Sequence, residues 1–338
     1  SRIGFFPHIP FPSYELFLLL PWREAILEGL LGADLVGFHT FDYARHFLSS
    51  ARRLLAAEHN MGVVKFDNRM IRVDAFPMGI DYDKYSGAPS KPEVQEAMEN
   101  VRRQLNGRRL VLSVDRLDYS KGIPIRLRAY YRFLEDHPEY HEKVQLVLIV
   151  APSRTKVQHY ADLKREIDEL VSTINGSFGT IGWIPISYFF RAFGFDQLTA
   201  LYAQADVLLV TPLRDGMNLI SKEYIAARKD MKGVVVLSET AGSARELGET
   251  LSVNPNNMDG IADRIREALE MPQAEQAERN RRMHQRLRRY DIHYWAQDFM
   301  DKLRAVGEMQ ASFLMKRLSN SIKQEMFKRF QEAESRLL

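Results

Sequence analysis

The sequence predicts an α/β protein of two doubly wound units, the first of them incomplete. Three observations lead there. Short runs of Val, Leu, Ile and Phe alternate with amphipathic helical stretches along most of the 338 residues, the pattern of a parallel sheet covered on both faces. From Arg109 onward, strand and helix alternate through roughly 160 residues, enough for a self-sufficient doubly wound domain. At roughly 100–200 residues per domain, the chain length gives two domains.

The first unit is justified element by element. Arg2-Ile3-Gly4-Phe5-Phe6 reads as a short buried strand, and His8-Ile9-Pro10-Phe11-Pro12 as a proline-bound loop. Ser13 is placed to N-cap a helix carrying Leu16, Leu19 and Leu20. Pro21-Trp22-Arg23 opens a helix through Leu31 that Gly32 closes. A strand over Asp34 to His39, a helix over Phe41 to Leu55 and a strand over Ile71 to Phe76 follow. Only about three strands are legible before Gly107, with the first at the chain terminus, so this domain is expected to be open-edged or partial.

A polar helix from about Lys91 to Asn106 leads to Gly107, the expected junction. The second unit then runs through strands at Arg109–Val114, Val144–Val150, Gly179–Trp183, Asp206–Val210, Gly233–Leu237 and Leu251–Val253. Helices at Ile123–Glu135, Thr155–Asn175, Asp196–Ala203, Asn218–Arg228 and Met258–Leu269 separate them. The tail from Ala305 is helical, with Met, Phe and Leu at helical spacing. The resulting division is 1–107, 108–285 and 286–338.

Composition excludes several function classes. The chain carries 47 Lys and Arg interleaved with 44 Asp and Glu, a formal charge of +3. Nucleic-acid binders concentrate basic residues on one face, so a small anionic molecule is the expected partner. No run of roughly 18 or more apolar residues occurs, so no membrane span is expected. Ser1 to Pro7 has no signal-peptide character, and the absence of cysteine fits the cytoplasm and rules out disulfides and thiolate metal sites. Neither a His-Glu-x-x-His motif nor a clustered Asp loop is present, so no catalytic metal or other cofactor is expected.

In open α/β sheets ligands bind beyond the carboxyl ends of the strands. After the strand ending at Val114, Arg116 and Lys121 place two cations in one loop at a helix entrance, suited to a diphosphate. The bland alternative is a solvated loop with an ion pair to Asp115 or Asp118. After Val210 comes Thr211-Pro212-Leu213-Arg214-Asp215-Gly216-Met217-Asn218-Leu219, where backbone amides at a helix N-terminus can donate to hydroxyls or phosphate. Asp215 can accept from hydroxyls, and Glu223, about two turns into the helix, can chelate a ribose diol. The bland alternative is an Asp N-cap followed by a surface Glu. Arg154 ends a strand where an anionic acceptor can dock, and His8 lies on the first loop, where a structural histidine is the bland alternative.

Several of these blocks together resemble trehalose-6-phosphate synthases, glycosyltransferase family 20. They are Gly4 to Pro12, Pro21-Trp22-Arg23, Gly29 to Asp34, Gly37-Phe38-His39-Thr40, Asp115 to Tyr119 with Lys121-Gly122, Pro152-Ser153-Arg154, Ile174-Asn175-Gly176 and Thr211 to Leu219. The resemblance runs from residue 1 to about residue 305. It implies the GT-B arrangement of two Rossmann-like domains and no cofactor. It further implies transfer of glucose from a nucleotide-glucose, UDP-glucose favoured, to glucose 6-phosphate with retention. By resemblance, Arg116 and Lys121 bind the donor diphosphate and Glu223 the ribose. Asp215 with Gly216, Met217, Asn218 and Leu219 holds the donor glucose, His8 contacts the donor sugar near the reacting carbon, and Arg154 grips the acceptor phosphate. His8, Arg116, Lys121 and Asp215 form the implied catalytic set.

Two departures qualify this. The family's glycine-containing N-terminal loop and His-Asp-Tyr-His-Leu segment do not precede Ser1, so an N-terminally shortened acceptor site is expected. Asn254-Pro255-Asn256-Asn257 stands where Asn-Pro-Trp-Asn is common. The tail resembles the connector to a trehalose-phosphate phosphatase, so a fused or associated phosphatase and a homo-oligomer are carried as partner expectations. A retaining glycosidase needs two carboxylates roughly 5 Å apart, and no such pair stands out; same-face attack assisted by the leaving diphosphate is the implied route. The alternatives are a non-catalytic sugar-phosphate sensor, or a transferase using another acceptor such as glycerol 3-phosphate.

Overall fold

The computed structural model describes residues 2–154 and 157–332. They form two units: residues up to Phe76 with those from Ala296 make the first, and Pro77–Trp295 the second.

The first unit contains β1 (Gly4–Phe5), α1 (Tyr14–Phe17), α2 (Arg23–Leu31), β2 (Leu35–Phe38), α3 (Phe41–Leu55), β3 (Glu58–Asn60), β4 (Val63–Phe66) and β5 (Arg69–Ala75). The sheet order is β1-β2-β5-β4-β3, with β1, β2 and β5 parallel and β3, β4 and β5 antiparallel. About three strands were legible in the sequence; the structure has five among the described residues. The two additional strands are joined by two-residue turns, Met61-Gly62 and Asp67-Asn68, whose φ angles are all positive, as the twist of a tight hairpin requires. The helix over Phe41–Leu55 falls where the sequence places it. Thr40 caps it by accepting from the Tyr43 amide at 3.3 Å, and it buries Ala44, Phe47 and Ala51 against Phe38, Ile71 and Val73. Ser13, expected to cap α1, makes no side-chain cap bond. With only four residues before the chain turns toward Pro21, α1 is a single turn.

The second unit contains α4 (Tyr82–Gly87), α5 (Pro92–Leu105), β6 (Arg109–Arg116), α6 (Ile123–Asp136), β7 (Val144–Ala151), α7 (Gln158–Phe178) and β8 (Ile186–Phe189). It continues with α8 (Phe195–Gln204), β9 (Val207–Val210), α9 (Leu219–Ala227), β10 (Val234–Ser238), β11 (Leu251–Val253), α10 (Met258–Glu270) and α11 (Gln273–Arg289). Among the described residues its six strands are all parallel, in the order β11-β10-β9-β6-β7-β8. Their near-continuous apolar character follows from burial on both faces. Leu127 and Phe133 of α6, Ile167 of α7 and Ile265 of α10 cover one face. Leu105 of α5, Tyr202 of α8, Ile225 of α9 and Leu287 of α11 cover the other.

The chain builds this sheet outward from β6 to β8, then returns to the centre and builds outward from β9 to β11. β6 and β9 are therefore the topological switch point. They pair only through Val111–Val207 and Leu112–Leu208, so both carboxyl ends continue beyond the paired stretch into loops.

Three sequence expectations change. The segment Gly179–Trp183 is not a strand: Thr180 and Trp183 close a short turn, Trp183 is buried with its indole N–H donating to the Val144 carbonyl at 2.8 Å, and the edge strand is β8. The helix expected from Thr155 is described from Gln158 to Phe178, and Thr155 lies outside the described residues. The units divide after Phe76 and Trp295, whereas the sequence puts junctions at 107 and 285. Residues 77–107 pack with the second unit because Val94 of α5 buries against Ala200 of α8, and Tyr82 hydrogen-bonds His284 at 2.9 Å.

The tail forms α12 (Ile292–Glu332), which enters the first unit at Ala296. A Cβ on Gly4 or Gly37 would lie 2.7 or 2.8 Å from the Phe299 ring, so these strand glycines make room for the helix. Gln310 donates to Asp34 at 2.8 Å and to the Met70 carbonyl at 2.9 Å.

Candidate functional site

The loops leaving β6 and β9 are stitched together at the switch point. Arg126 on α6 is fully buried, and its guanidinium donates to Asp115 (2.5 Å), Ser113 (2.6 Å), Thr211 (2.9 Å) and the Lys121 carbonyl (2.9 Å). One side chain thus binds the ends of both strands and the loop between β6 and α6. Gly122 lies at φ 65°, and a Cβ there would stand 2.6 Å from the Thr211 carbonyl oxygen, so only glycine permits this approach. The Leu213 amide donates to the Ser120 carbonyl at 2.8 Å.

Of the residues expected to bind a donor, the structure brings together Lys121, Asp215 and Asn218. Lys121 Nζ lies 2.6 Å from Asp215 Oδ2, both side chains largely shielded, and the Asn218 amide donates to the same oxygen at 3.2 Å. The ion-pair alternative therefore holds with a different partner. Asp115 is taken by Arg126, and Asp118 accepts from the Ser120 amide at 2.9 Å. Arg116, at the end of β6, is exposed and has no ion-pair partner among the described residues. Asn218, not Asp215, N-caps α9: its side chain accepts from the Ser221 amide at 3.1 Å, and its φ of 71° turns the backbone into the helix. Gly216 and Met217 are buried just before α9, and Leu219 is its first residue.

A third strand end, missed in the sequence, shapes this loop. The Gly242 amide donates to the Asp215 carbonyl at 3.1 Å, and the Ser243 amide to that of Met217 at 2.7 Å. A Cβ on Gly242 would meet the Gly216 carbonyl oxygen at 2.0 Å. The signal was Thr240-Ala241-Gly242-Ser243 shortly after a strand. We expect Gly242→Ala to displace the 215–218 backbone and cost about 1–3 kcal/mol as overpacking; the urea midpoint of the variant checks this, and an unchanged midpoint refutes it.

Glu223 is the fifth residue of α9, just over one turn in rather than two. It is half-buried; the Tyr202 hydroxyl donates to it at 3.0 Å, and the Tyr85 hydroxyl faces it. Burial raises its pKa above the ordinary 4.5, outweighing the two tyrosine hydroxyls that lower it. The tyrosines were not singled out in the sequence: Tyr85 lies more than a hundred residues upstream, and Tyr202 reads as ordinary core.

Arg154 is exposed at φ 47°, with its guanidinium 3.5 Å from the Tyr160 hydroxyl. His8 belongs to the first unit, where its exposed ring lies 5.5 Å from that of His39 and 5.2 Å from that of Phe6. His39 is buried and follows β2, a residue of the resembling block Gly37-Phe38-His39-Thr40 that was given no role in the sequence. In the segment where the Asn-Pro-Trp-Asn pattern was absent, Asn257 caps α10 by accepting from the Gly260 amide, and Asn254 donates to Glu239 at 3.1 Å. Among the described residues no group of three or more His, Asp or Glu is placed to hold a metal ion, and no helix is long and apolar enough to cross a membrane.

The family model described as glycosyltransferase family 20 matches residues 1–305. The chain is 48% identical over 303 residues to the bifunctional trehalose-6-phosphate synthase/phosphatase of Thermoproteus tenax, a match covering 89% of this chain and 42% of that protein. It therefore spans less than half the length of that curated relative. Among solved structures it is similar to an alpha,alpha-trehalose-phosphate synthase (UDP-forming) from Burkholderia xenovorans in complex with glucose-6-phosphate. That match has 37% identity and a TM-score of 0.87, covering 90% of this chain and 68% of the other. It is also similar to an E. coli trehalose-6-phosphate structure bound with UDP-2-fluoro glucose, at 36% identity and a TM-score of 0.86, with coverages of 90% and 68%. These likenesses bear out the expected fold class of Rossmann-like α/β domains.

Proposed function

The chain belongs to glycosyltransferase family 20, and on that premise we propose that its protein moves glucose from a nucleotide-glucose, UDP-glucose favoured, to glucose 6-phosphate, giving trehalose 6-phosphate with retention. The observation that carries this reading is the cationic switch point: exposed Arg116 and the Lys121–Asp215 pair stand on adjacent strand-end loops braced by Arg126. A diphosphate leaving group needs such donors, and Arg and Lys supply them as fork and point charge. The relatives support the substrates: one solved relative holds glucose-6-phosphate and another UDP-2-fluoro glucose.

In this reading Asp215 turns Lys121 toward the crevice and accepts from a donor hydroxyl, while the backbone from Gly216 to Leu219 lies against the glucose. Arg154 receives the acceptor phosphate and His8 the donor sugar. The bond from the anomeric carbon to the diphosphate breaks as the acceptor's anomeric oxygen bonds on the same face. The acceptor proton passes to the departing diphosphate, so the protein contributes positioning and charge stabilisation, with no metal or cofactor assigned a step. The test is to incubate the intact protein with UDP-, ADP- or GDP-glucose and glucose 6-phosphate, and to read nucleotide release and the anomeric configuration of the product. Release with an α,α-linked phosphorylated disaccharide supports the proposal. Nucleotide-sugar binding without turnover overturns it in favour of a sensor.

The raised pKa of Glu223 gives a pH prediction. As a carboxylate it accepts from ribose hydroxyls; on acidification it protonates at a higher pH than an ordinary glutamate. Affinity for UDP-glucose, whose phosphates do not titrate there, should therefore fall as pH drops through that raised value. Calorimetry across the pH series should show a flattened response in Glu223→Gln. The groups facing Glu223 are Tyr85, Tyr202 and Lys84, and burial raises the pKa of both tyrosines above the ordinary phenol value.

A further inference from the structure

Glu223 is held by neutral donors. An ionised carboxylate offers about four acceptor positions; the hydroxyl of Tyr202, at 3.0 Å from Oε2, occupies one of them, and the Tyr85 hydroxyl faces the same carboxylate. Among the described residues no lysine or arginine forms an ion pair with it; the nearby Lys84 ammonium instead lies over the Phe195 ring at 4.8 Å. A cation would have drawn the carboxylate into an ion pair. Neutral hydroxyls orient it without adding a charge and leave it acceptor positions for further donors.

The tyrosines come from different elements. Tyr85 lies on α4 and is half-buried, with its ring 5.4 Å from that of Phe195. Tyr202 lies on α8, fully buried, 6.3 Å from the ring of Tyr224. Packing in either place would be met by phenylalanine. The hydroxyl of Tyr202, buried where an unpaired polar atom is costly, is satisfied by Glu223.

We propose that Tyr85 and Tyr202 are positioning residues that aim Glu223, so that its remaining acceptor positions take both hydroxyls of one vicinal diol, the ribose of the donor nucleotide. The inference rests on the ribose role of Glu223 under the proposed function. It adds that discrimination against a deoxyribose is set by two side chains that do not touch the ligand.

The test is calorimetric titration of the chain with UDP, 2′-deoxy-UDP and inorganic pyrophosphate, for the unmodified protein, Glu223→Gln, Tyr85→Phe and Tyr202→Phe. The unmodified protein should prefer UDP to 2′-deoxy-UDP by about tenfold, the effect of losing one charge-assisted hydrogen bond. Each Tyr→Phe change should shrink that ratio to about threefold or less, while leaving 2′-deoxy-UDP and pyrophosphate affinity unchanged. Retained pyrophosphate binding shows that the variants fold; if Tyr202→Phe fails to fold, Tyr85→Phe decides. Folded variants that keep the full ratio overturn the positioning role alone. Equal binding of UDP and 2′-deoxy-UDP by the unmodified protein, with no effect of Glu223→Gln, overturns the ribose reading and this inference with it. A preserved UDP ratio in Glu223→Gln, with hexose-bearing UDP-glucose alone weakened, would assign the diol to the sugar and also overturn it.

Discussion

Replacing Arg116 by alanine in the intact protein is expected to lower turnover about 10²–10³-fold, the range found when one preorganised donor to developing charge is lost. Arg116 stands at the end of β6 with its guanidinium exposed and no ion-pair partner among the described residues. Removing it leaves no protein carboxylate uncompensated, so loss of fold does not confound the result. Lys121 differs. Its ammonium is 2.6 Å from Asp215, so Lys121→Ala strips a charge from the crevice and also leaves Asp215 without that cation. The expected contrast is that Arg116→Ala lowers kcat with little change in the urea midpoint, whereas Lys121→Ala lowers both. Steady-state kinetics with UDP-glucose and glucose 6-phosphate, beside urea unfolding of each variant, checks it. Normal turnover in Arg116→Ala would remove leaving-group stabilisation from this loop.

The second large effect is on stability. Arg126→Met should destabilise the second unit by about 3–5 kcal/mol, because it leaves the Asp115 carboxylate buried without its partner. Both side chains are almost wholly excluded from solvent, at 0% and 2% exposure. The loss also leaves Ser113, Thr211 and the Lys121 carbonyl without this donor. Against a total stability of about 5–15 kcal/mol for a typical domain, the single variant should be near the edge of folding. Arg126→Met with Asp115→Leu should recover much of the loss, since exchanging a whole buried pair for apolar side chains is often neutral or better. Urea denaturation of the single and double variants decides. A double variant no more stable than the single one would mean that the hydrogen bonds to both loops, not the buried charge, set the cost.

Most of the elements and the inventory of chemistry were legible in the sequence. Continuous Val, Leu and Ile runs at Arg109–Val114 and Val144–Val150 could only be strands covered on both faces. The boundaries of the helix at Phe41–Leu55 were written in Thr40 and the apolar spacing after it. Arg116, Lys121, Asp215 and Glu223 were legible because each follows or shortly follows a strand end. Less legible were strands without burial on both faces. β3 is exposed and β4 partly exposed, and they are joined by Met61-Gly62, so their pattern is weaker than that of a central strand. The strand read at Gly179–Trp183 failed because Trp183 is buried as a turn anchor bonded to the Val144 carbonyl, while pairing belongs to Ile186–Phe189.

Tertiary structure alone decided which of these residues meet. Lys121 and Asp215 are 94 residues apart, and only the reversal of strand order places β6 beside β9 and their loops in one crevice. The same holds for Arg126 with Thr211, Gly242 with Gly216, and Tyr85 with Glu223. Local sequence encodes propensity and burial, because those depend on near neighbours. Pairings across a sheet depend on the order in which strands are laid down, which no local pattern records.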